Sequence, residues 1–293
     1  MGAQRLDGKQ CASSIEANLL SRIKILSSQG IVPHLAVIIV GDDPASHVYV
    51  NSKISTCKRL GIQSTHVELP SSIDEQELVK HIIKLNEDES VHGILIQSPL
   101  PKHMNEEAMT DLIDPTKDVD GFHPTNLGRL VQGRLDGMIP CTPHGVLRLL
   151  EWSKVPLQGK KAVVIGRSRI VGMPLSLLFA SRGIDLTVTI AHSRTEDLPK
   201  ECADADIVVA AVGIPELVQP QWVKSGAVVV DVGINRVEDH SHERGWRLAG
   251  DVNPAVGEVA AWLSPVPGGV GPMTIAMLME NTVRSAELMT QNE

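Results

Sequence analysis

One stretch decides the fold of this chain, and it reads KAVVIGRSRIVGMPLSLLFA from Lys161 to Ala180. Its first five residues predict a buried strand, residues 166–174 a glycine turn, and residues 175–180 a helix. A strand, a glycine turn and a helix open a dinucleotide-binding unit, where glycine lets the backbone approach a pyrophosphate and the helix N-terminus faces its charge. Ser168 replaces the second of the three usual glycines and the third is displaced to Gly172, so the turn alone is weak evidence.

The composition limits the class of protein. The 293 residues are enough for one large or two medium domains, and with 42% hydrophobic but only 2% aromatic residues the core must be aliphatic. The net charge of −8 argues against a general nucleic-acid or acidic-membrane partner. No apolar run approaches the ~20 residues that span a bilayer. Because the N-terminus resembles neither a signal nor a transit peptide, we expect a cytoplasmic protein without a membrane partner.

The cysteines and histidines predict no metal site. The four cysteines lie far apart and form no C-x-x-C pair, so we expect reduced, buried thiols. His240 and His242 lie in the polar stretch 238–245, which is typical of an exposed turn between two strands.

Strand-like runs alternate with helical patterns along the whole chain, which predicts α/β layering with parallel sheets. The predicted strands cover residues 35–40, 64–68, 93–97, 162–165, 186–191, 207–211 and 227–232. The predicted helices cover about 9–29, 45–60, 75–86, 106–113 and 143–153, and a last helix begins after Pro272 and runs to about Thr290. Residues 114–140 are rich in Pro, Gly and Asp and predict a long loop.

This organisation predicts two α/β domains flanking a cleft, the second a Rossmann-like parallel sheet. The first domain takes residues 1–141 with the C-terminal helix 273–293, and the second takes residues 142–272. Ligands usually bind in such clefts.

The second strand of the Rossmann-like sheet ends next to Ser193 and Arg194. An NAD site usually has Asp or Glu at this point, whereas a hydroxyl and a guanidinium suit the 2′-phosphate of NADP. Arg167 and Arg169 add positive charge nearby, although a solvated charged turn is an equal alternative for Arg169.

Two further turns extend this predicted cofactor site. The third strand leads into Gly213, and the fourth leads into Gly233 and Ile234. Both turns lie at the carboxyl ends of strands, where open α/β sheets bind ligands. For Gly213 or Gly233 taken alone, the alternative is that glycine is needed only to form the turn.

The first half contains the candidates for catalysis. Tyr49 and Lys53 share one face of a predicted helix, since side chains four residues apart lie about 6 Å from each other. Tyr-x-x-x-Lys also occurs in short-chain dehydrogenases, but there it follows the glycine turn instead of preceding it. An ordinary amphipathic surface helix is the alternative. Gln97 ends a buried strand before a proline-rich turn, where it can contact a ligand or cap loop backbone.

Two loops complete the set of candidates. Residues 115–122 carry three charges, at Lys117, Asp118 and Asp120, and a solvated loop is the alternative for the first two. Residues 265–274 are too rigid and glycine-rich for a linker, and they open the last helix, so their amides can face a ligand.

Together these segments resemble the bifunctional methylenetetrahydrofolate dehydrogenase/methenyltetrahydrofolate cyclohydrolase family over essentially the whole chain. Six motifs occur in the same order. They are Tyr49-x-x-x-Lys53, Gly93-Ile94-Leu95-Ile96-Gln97, Lys117-Asp118-Val119-Asp120-Gly121-Phe122, Pro140-Cys141-Thr142-Pro143, Gly166-Arg167-Ser168-x-Ile170-Val171-Gly172-x-Pro174 and the segment 265–274. One departure is Ser98, where many relatives carry a bulkier apolar residue, and it is expected to alter packing around the folate.

The resemblance implies two reactions: NADP-dependent oxidation of methylenetetrahydrofolate, then hydrolysis of the methenyl product to formyltetrahydrofolate. Hydrolysis needs a group that titrates near neutral pH, and Lys53 is the candidate base, because partial burial and the folate cation would both lower its pKa. The resemblance implies that Gln97 accepts a hydrogen bond from Lys53 and orients it, that Tyr49 stacks on the aminobenzoate ring and that Asp120 binds the pterin edge. The remaining folate contacts would come from Ile96, Ser98, Pro267, Gly268, Gly269 and Gly271. The cofactor contacts would come from Gly166, Arg167, Ser168, Ile170, Gly172, Ser193, Arg194, Gly213 and Ile234. The family is usually homodimeric.

Two rival functions remain at this point. One is another two-domain NADP dehydrogenase acting on a small polyol or amino acid, as in shikimate-type enzymes. The other is a non-catalytic NADP-binding regulator, which would bind the cofactor without turnover.

Overall fold

The computed structural model describes residues 2–241 and 245–290. The strands, in chain order, are β1 Gln4–Arg5, β2 His34–Val40, β3 Gln63–Leu69, β4 Gly93–Ile96, β5 Lys161–Ile165, β6 Thr187–Ala191, β7 Ile207–Ala210, β8 Val228–Asp231, β9 Asn235–Glu238, β10 Trp246–Ala249 and β11 Trp262–Leu263. The helices are α1 Gly8–Ser28, α2 Pro44–Leu60, α3 Glu75–Glu87, α4 Glu106–Thr110, α5 Pro124–Val131, α6 Cys141–Trp152, α7 Gly172–Ala180, α8 Leu198–Ala203 and α9 Val270–Thr290.

The chain forms two compact units. The six-stranded unit contains Met1–Ser13 and Thr142–Thr274, and the three-stranded unit contains Ser14–Cys141 and Ile275–Glu293. The predicted boundary differs at the N-terminus, because Met1–Ser13 groups with the second domain rather than the first. The reason is that β1 pairs in parallel with β11, through Gln4 opposite Trp262.

The six-stranded sheet is parallel throughout, with the order β1-β11-β8-β7-β5-β6. The first strand of the alternating unit, β5, therefore lies between the second, β6, and the third, β7. This is the doubly wound arrangement in which the chain reverses direction beside its first strand and ligands bind at the carboxyl ends there. The predicted Rossmann-like parallel sheet is confirmed. Its core is aliphatic, with Val163, Ile165, Val208 and Val229 buried.

The three-stranded sheet has the order β3-β2-β4 and is also parallel. Its central strand β2 is buried at every position, since it is covered on both faces. Helix α3 packs Leu78, Ile82 and Leu85 against one face of this sheet. The sheet thereby fixes the end of β4, from which the next residue is Gln97.

One predicted loop was wrong in part, because residues 114–140 contain the helix α5. The helix begins with Pro124, whose fixed φ suits a first turn, and the His123 Nδ1 accepts a hydrogen bond from the Thr125 N–H at 3.1 Å. The preceding helix α4 is shorter than predicted and ends at Thr110. Abundant Pro and Gly in this segment concealed a helix whose start signal was present.

The turn predicted at residues 238–245 follows β9, which pairs with the antiparallel strand β10. His240 lies in this turn, whereas His242 lies outside the described residues.

Among the described helices, even the 21-residue α1 and α9 are not apolar enough to cross a membrane. Within residues 2–241 and 245–290, no group of three His, Cys, Asp or Glu side chains is arranged to hold a metal ion.

Candidate active site

Lys53 and Gln97 meet in the three-stranded unit. Helix α2 carries Lys53, and its start is fixed by the Asp43 carboxylate, which accepts a hydrogen bond from the Ser46 N–H at 2.8 Å. The Lys53 Nζ donates to the Gln97 Oε1 at 2.8 Å. The Gln97 Nε2 donates to the Ser98 carbonyl at 2.7 Å, so the amide is held with its oxygen toward the lysine. The hydrogen bond that the resemblance implied is therefore present.

Burial moves the pKa values of Lys53 and Asp120 toward neutrality. Burial lowers the pKa of the Lys53 ammonium, and the nearby Asp120 carboxylate partly opposes this effect. Burial also raises the pKa of Asp120 to about 6, which the Lys53 charge opposes. An amine and a carboxyl whose pKa values approach pH 7 from opposite sides are suited to proton transfer.

The loop that carries Asp120 is built around Asp118. The Asp118 carboxylate accepts hydrogen bonds from the backbone N–H groups of Gly121, Phe122 and His123 at 2.8–3.3 Å. The Asn126 Nδ2 adds a fourth hydrogen bond at 2.9 Å. Because a carboxylate with four donors is satisfied without water, Asp118 can stay only 1% exposed.

The other charge of this loop, Lys117, is equally buried at 4% exposed. Its Nζ donates to three backbone carbonyls at the end of α3, those of Leu85, Asn86 and Asp88. The ammonium thus satisfies carbonyls that a helix end leaves unpaired. A solvated loop, the alternative for Lys117 and Asp118, is wrong, since both side chains fold inward and fix the loop.

Cys141 belongs to the same group, although the sequence predicted for it only an ordinary buried thiol. Its Sγ donates to the Val119 carbonyl at 3.2 Å, and its pKa is raised well above the usual value by burial and by Asp120. The Asn281 Nδ2 donates to the carbonyls of Val119 and Ile139 at 2.8 and 2.9 Å, which ties two segments that precede the thiol to α9. The motif around Pro140 was visible in the sequence, but nothing in it revealed this contact.

The other predicted folate residues of the three-stranded unit are close to Lys53 or Gln97 in the sequence. Tyr49 lies one turn before Lys53 and is 43% exposed, which leaves its ring free to stack. Ile96 is buried at the end of β4. The Ser98 Oγ donates to the Glu106 Oε1 at 2.7 Å, and the Glu106 Oε2 accepts the Leu100 N–H at 3.2 Å. Glu106 therefore holds both ends of the turn after Gln97.

In the six-stranded unit the glycine turn lies where β5 and β7 adjoin. Gly166 has φ +125°, and a Cβ there would lie 2.3 Å from the Ala211 carbonyl oxygen. A Cβ on Gly172 would lie 2.1 Å from the carbonyl oxygen of Gly166. Both positions therefore exclude a side chain, because backbone of neighbouring segments packs directly against these buried glycines at the carboxyl edge of the sheet. The Ser168 Oγ accepts the N–H groups of Val171 and Gly172 at 3.2 and 3.4 Å, so this serine closes the turn.

The turn after β6 presents Ser193 and Arg194 to solvent. It is closed by the Thr195 Oγ1, which accepts the His192 N–H at 2.9 Å, and by the His192 Nδ1, which accepts the Arg194 N–H at 3.2 Å. The other predicted cofactor residues follow neighbouring strands. Arg167 and Ile170 are exposed, Gly213 has φ +68°, and Ile234 is 42% exposed.

The remaining predicted folate residues, Pro267, Gly268, Gly269 and Gly271, lie in the six-stranded unit. Their turn is closed by the Gly269 N–H, which donates to the Pro265 carbonyl at 2.8 Å. A Cβ on Gly8 would lie 1.7 Å from the Gly269 carbonyl oxygen, so the turn rests directly on the start of α1. The helix α9 begins immediately afterwards at Val270, three residues before the predicted start.

These features define the class of protein. A doubly wound parallel sheet with a tight glycine turn at its reversal point is typical of a dinucleotide-binding unit, and such a turn before a helix N-terminus fits a pyrophosphate. The half-buried Lys53 and Asp120 of the other unit are titratable groups of the kind that carry out acid–base chemistry, and Gln97 accepts a hydrogen bond from the lysine. The chain is thus a nucleotide-dependent enzyme with two α/β units.

Comparison with known proteins gives the family. Residues 6–120 match the catalytic domain of tetrahydrofolate dehydrogenase/cyclohydrolase, and residues 140–290 match its NAD(P)-binding domain. The bifunctional protein FolD of Prosthecochloris aestuarii is 50% identical over 285 residues, which are 96% of this chain and 97% of that protein.

Solved structures agree with this comparison. The crystal structure of the bifunctional FolD of Campylobacter jejuni has a TM-score of 0.93 at 45% identity, with 98% of this chain and 99% of that chain covered. The Trypanosoma brucei enzyme, complexed with NADP and an inhibitor, has a TM-score of 0.94 at 38% identity, with 99% of both chains covered. The chain therefore belongs to the tetrahydrofolate dehydrogenase/cyclohydrolase family, and it is a bifunctional enzyme.

Proposed function

We propose that the chain oxidises methylenetetrahydrofolate to methenyltetrahydrofolate with NADP and then hydrolyses the methenyl product to formyltetrahydrofolate. The observation that carries the proposal is the hydrogen bond from the Lys53 Nζ to the Gln97 Oε1, next to the Asp120 carboxyl. The first reaction converts the methylene compound and NADP into the methenyl cation and NADPH. The second adds water to that cation and releases a proton.

The oxidation step requires no proton transfer by the protein. When bound, NADP supplies the acceptor for a hydride from the methylene carbon. The two nitrogens that flank this carbon stabilise the cation that remains, so no proton has to leave. The chain's own contribution is to hold the hydride donor and the hydride acceptor in line. Such alignment removes a large part of the activation free energy of a reaction between two bound molecules.

The hydrolysis does require proton transfer. We assign it to Lys53, whose pKa is lowered by burial and would be lowered further by the cationic substrate. In its neutral form the amine can accept a proton from the attacking water. Gln97 accepts one hydrogen bond from the same amine and thereby orients its lone pair.

Asp120 has the chemistry to recognise the folate. A carboxylate accepts two parallel hydrogen bonds from an amino-pyrimidine edge, which is the edge that the pterin presents. We assign this contact to Asp120 and a stacking contact on the aminobenzoate ring to Tyr49. Ile96, Ser98, Pro267, Gly268, Gly269 and Gly271 are the further folate contacts of the proposal.

The cofactor of the proposal is NADP rather than NAD. Support comes from the turn after β6, where Ser193 and Arg194 replace the carboxylate that an NAD site needs for the ribose hydroxyls. A guanidinium binds phosphate bidentately and keeps its charge at every physiological pH. Arg167 and Arg169 belong to the same proposed basic region, and Gly166, Ser168, Ile170, Gly172, Gly213 and Ile234 line the rest of the cofactor.

We also propose a homodimer that works in the cytoplasm and supplies one-carbon units for purine biosynthesis, without nucleic acid or membrane as partner. The family supports the dimer, and the four free, buried cysteines suit a reducing compartment. Sedimentation equilibrium of the purified chain tests the dimer, which a monomer at micromolar concentration would contradict.

The experiment that tests the function mixes purified protein with methylenetetrahydrofolate and either NADP or NAD. We expect NADPH to form faster than the methenyl product accumulates, since hydrolysis consumes that product. Turnover with NAD alone would overturn the cofactor assignment and keep the family. Tight NADP binding without turnover would contradict the enzyme function.

A further inference from the structure

Two buried carboxylates lie beneath the turns at the carboxyl edge of the six-stranded sheet. Asp231 is the last residue of β8, and Asp251 is the second residue after β10. Asp231 is 4% exposed and Asp251 is fully buried. Neither residue was predicted from the sequence to have a function, and both lie outside the assigned contacts.

Asp251 binds the turn that carries a proposed cofactor contact. Its Oδ2 accepts the N–H groups of Val212 and Gly213, at 2.7 and 2.9 Å. Its Oδ1 accepts the Asn235 Nδ2 at 2.9 Å. One carboxylate thus connects the segment after β7 with the first residue of β9, over separations of 38 and 16 residues.

Asp231 holds Asp251 in turn. Its Oδ1 accepts the backbone N–H of Gly233 at 3.0 Å and of Asp251 at 2.8 Å, and its Oδ2 accepts the Val252 N–H at 3.0 Å. A Cβ on Gly250 would lie 1.8 Å from the Asp231 Oδ2, and one on Gly233 would lie 2.2 Å from the Asp251 Oδ1. The two glycines therefore make room for the two carboxylates.

We propose that Asp251 is a positioning residue for NADP, which acts by fixing the Val212–Gly213 turn at the carboxyl edge of the sheet. The inference rests on the proposed function, because it takes Gly213 as a cofactor contact. Burial of a carboxylate is unfavourable unless donors surround it, and an apolar side chain here would leave two backbone N–H groups without their acceptor. The buried charge of Asp251 therefore stabilises the conformation of the Val212–Gly213 turn.

The structure distinguishes this role from general packing. All three donors to the Asp251 carboxylate come from segments that follow β7 or β8 at the carboxyl edge, where a dinucleotide binds. Loss of the carboxylate would free the Val212 and Gly213 amides and let the turn move. The strands below keep their own ladder of hydrogen bonds to neighbouring strands.

The test uses the two activities of the same full-length enzyme. Cyclohydrolase activity on methenyltetrahydrofolate requires no hydride acceptor, so it reports whether the protein is folded and its folate residues are intact. For Asp251→Ala we expect the KM for NADP to rise about tenfold, the equivalent of ~1.4 kcal/mol, with cyclohydrolase kcat and KM unchanged. A fluorescence titration with NADP measures the same loss directly.

Two further variants separate shape from charge. Asp251→Asn keeps an amide oxygen for Val212 and Gly213, and its amide N–H can donate to a flipped Asn235, so we expect near-normal NADP binding. Asp206→Ala is the matched control, since Asp206 accepts the Lys161 N–H at 3.1 Å and the Lys224 Nζ at 2.7 Å at the other end of the same strands. It should leave the KM for NADP unchanged.

The outcomes are distinct. Equal losses of both activities in Asp251→Ala, or an unchanged KM for NADP, overturn the inference. If that variant does not fold, Asn235→Ala serves instead, and a rise in the KM for NADP without loss of cyclohydrolase activity supports the inference, while an unchanged KM overturns it. If the unmodified enzyme neither oxidises methylenetetrahydrofolate nor hydrolyses methenyltetrahydrofolate, the proposed function is contradicted instead.

Discussion

Replacement of Gln97 by leucine should impair hydrolysis much more than hydride transfer. The Gln97 Oε1 accepts the hydrogen bond of the Lys53 Nζ at 2.8 Å, and the Gln97 Nε2 is held by the Ser98 carbonyl at 2.7 Å. Leucine has a similar volume but no acceptor. In Gln97→Leu the amine keeps its partly buried place and loses the group that orients it.

The size of the effect follows from this one contact. A hydrogen bond to a charged group contributes about 1.5–3 kcal/mol, and its loss corresponds to a rate decrease of about 10- to 150-fold if the bond is needed in the transition state. The hydrolysis of methenyltetrahydrofolate, followed by loss of its absorbance without NADP, measures this step. NADPH formation from methylenetetrahydrofolate at saturating substrate measures the other.

Gln63→Leu is the control, because Gln63 is an exposed residue at the start of β3 in the same unit. It should change neither activity. A Gln97→Leu enzyme with normal hydrolysis would refute the orienting role. Equal decreases in both activities would show that Gln97 contributes to folate binding alone.

Three further changes test other parts of the account. Gly166→Ala places a Cβ 2.3 Å from the Ala211 carbonyl oxygen at a φ of +125°, so NADP binding should be lost while cyclohydrolase activity remains, as measured by NADP titration beside the hydrolysis assay. Arg194→Ala should raise the KM for NADP about tenfold and leave the KM for NAD unchanged, and parallel changes would contradict a 2′-phosphate contact. Burial lowers the pKa values of His34 and His92, so the folded state disfavours their protonation and the free energy of unfolding should fall as the pH drops below about 6.5. Urea unfolding at pH 7.5 and 5.0 should show a smaller decrease in His92→Leu than in the unmodified chain, and identical decreases would contradict this assignment.

Local sequence patterns were enough to predict most of the elements. The strands β5 and β7 are apolar runs that end at glycine turns, and this pattern specifies a parallel sheet and its ligand edge. The i,i+4 spacing placed Tyr49 and Lys53 on one helix face, and their helix begins within one residue of its predicted start. Such features depend on neighbours along the chain, which a sequence shows directly.

The parts that the sequence did not reveal depend on distant contacts. Lys117 looked like a solvated charge, but its amine reaches the end of α3, about 30 residues earlier. No sequence pattern singled out Asp251, because its partners Val212 and Gly213 follow β7, which lies about 40 residues earlier in the chain. The strand β1 has two residues and exists only because β11 lies beside it. A buried charge is recognised from the donors that surround it, and these are fixed by the fold.

The most direct test of the central claim compares the two activities of Lys53→Met, a variant of similar length without the amine. The account predicts that hydrolysis of methenyltetrahydrofolate falls about 10²- to 10⁴-fold, the usual contribution of a general acid–base group, while NADPH formation falls much less. Retained hydrolysis would exclude Lys53 as the group that transfers the proton, and equal losses would reduce its role to binding.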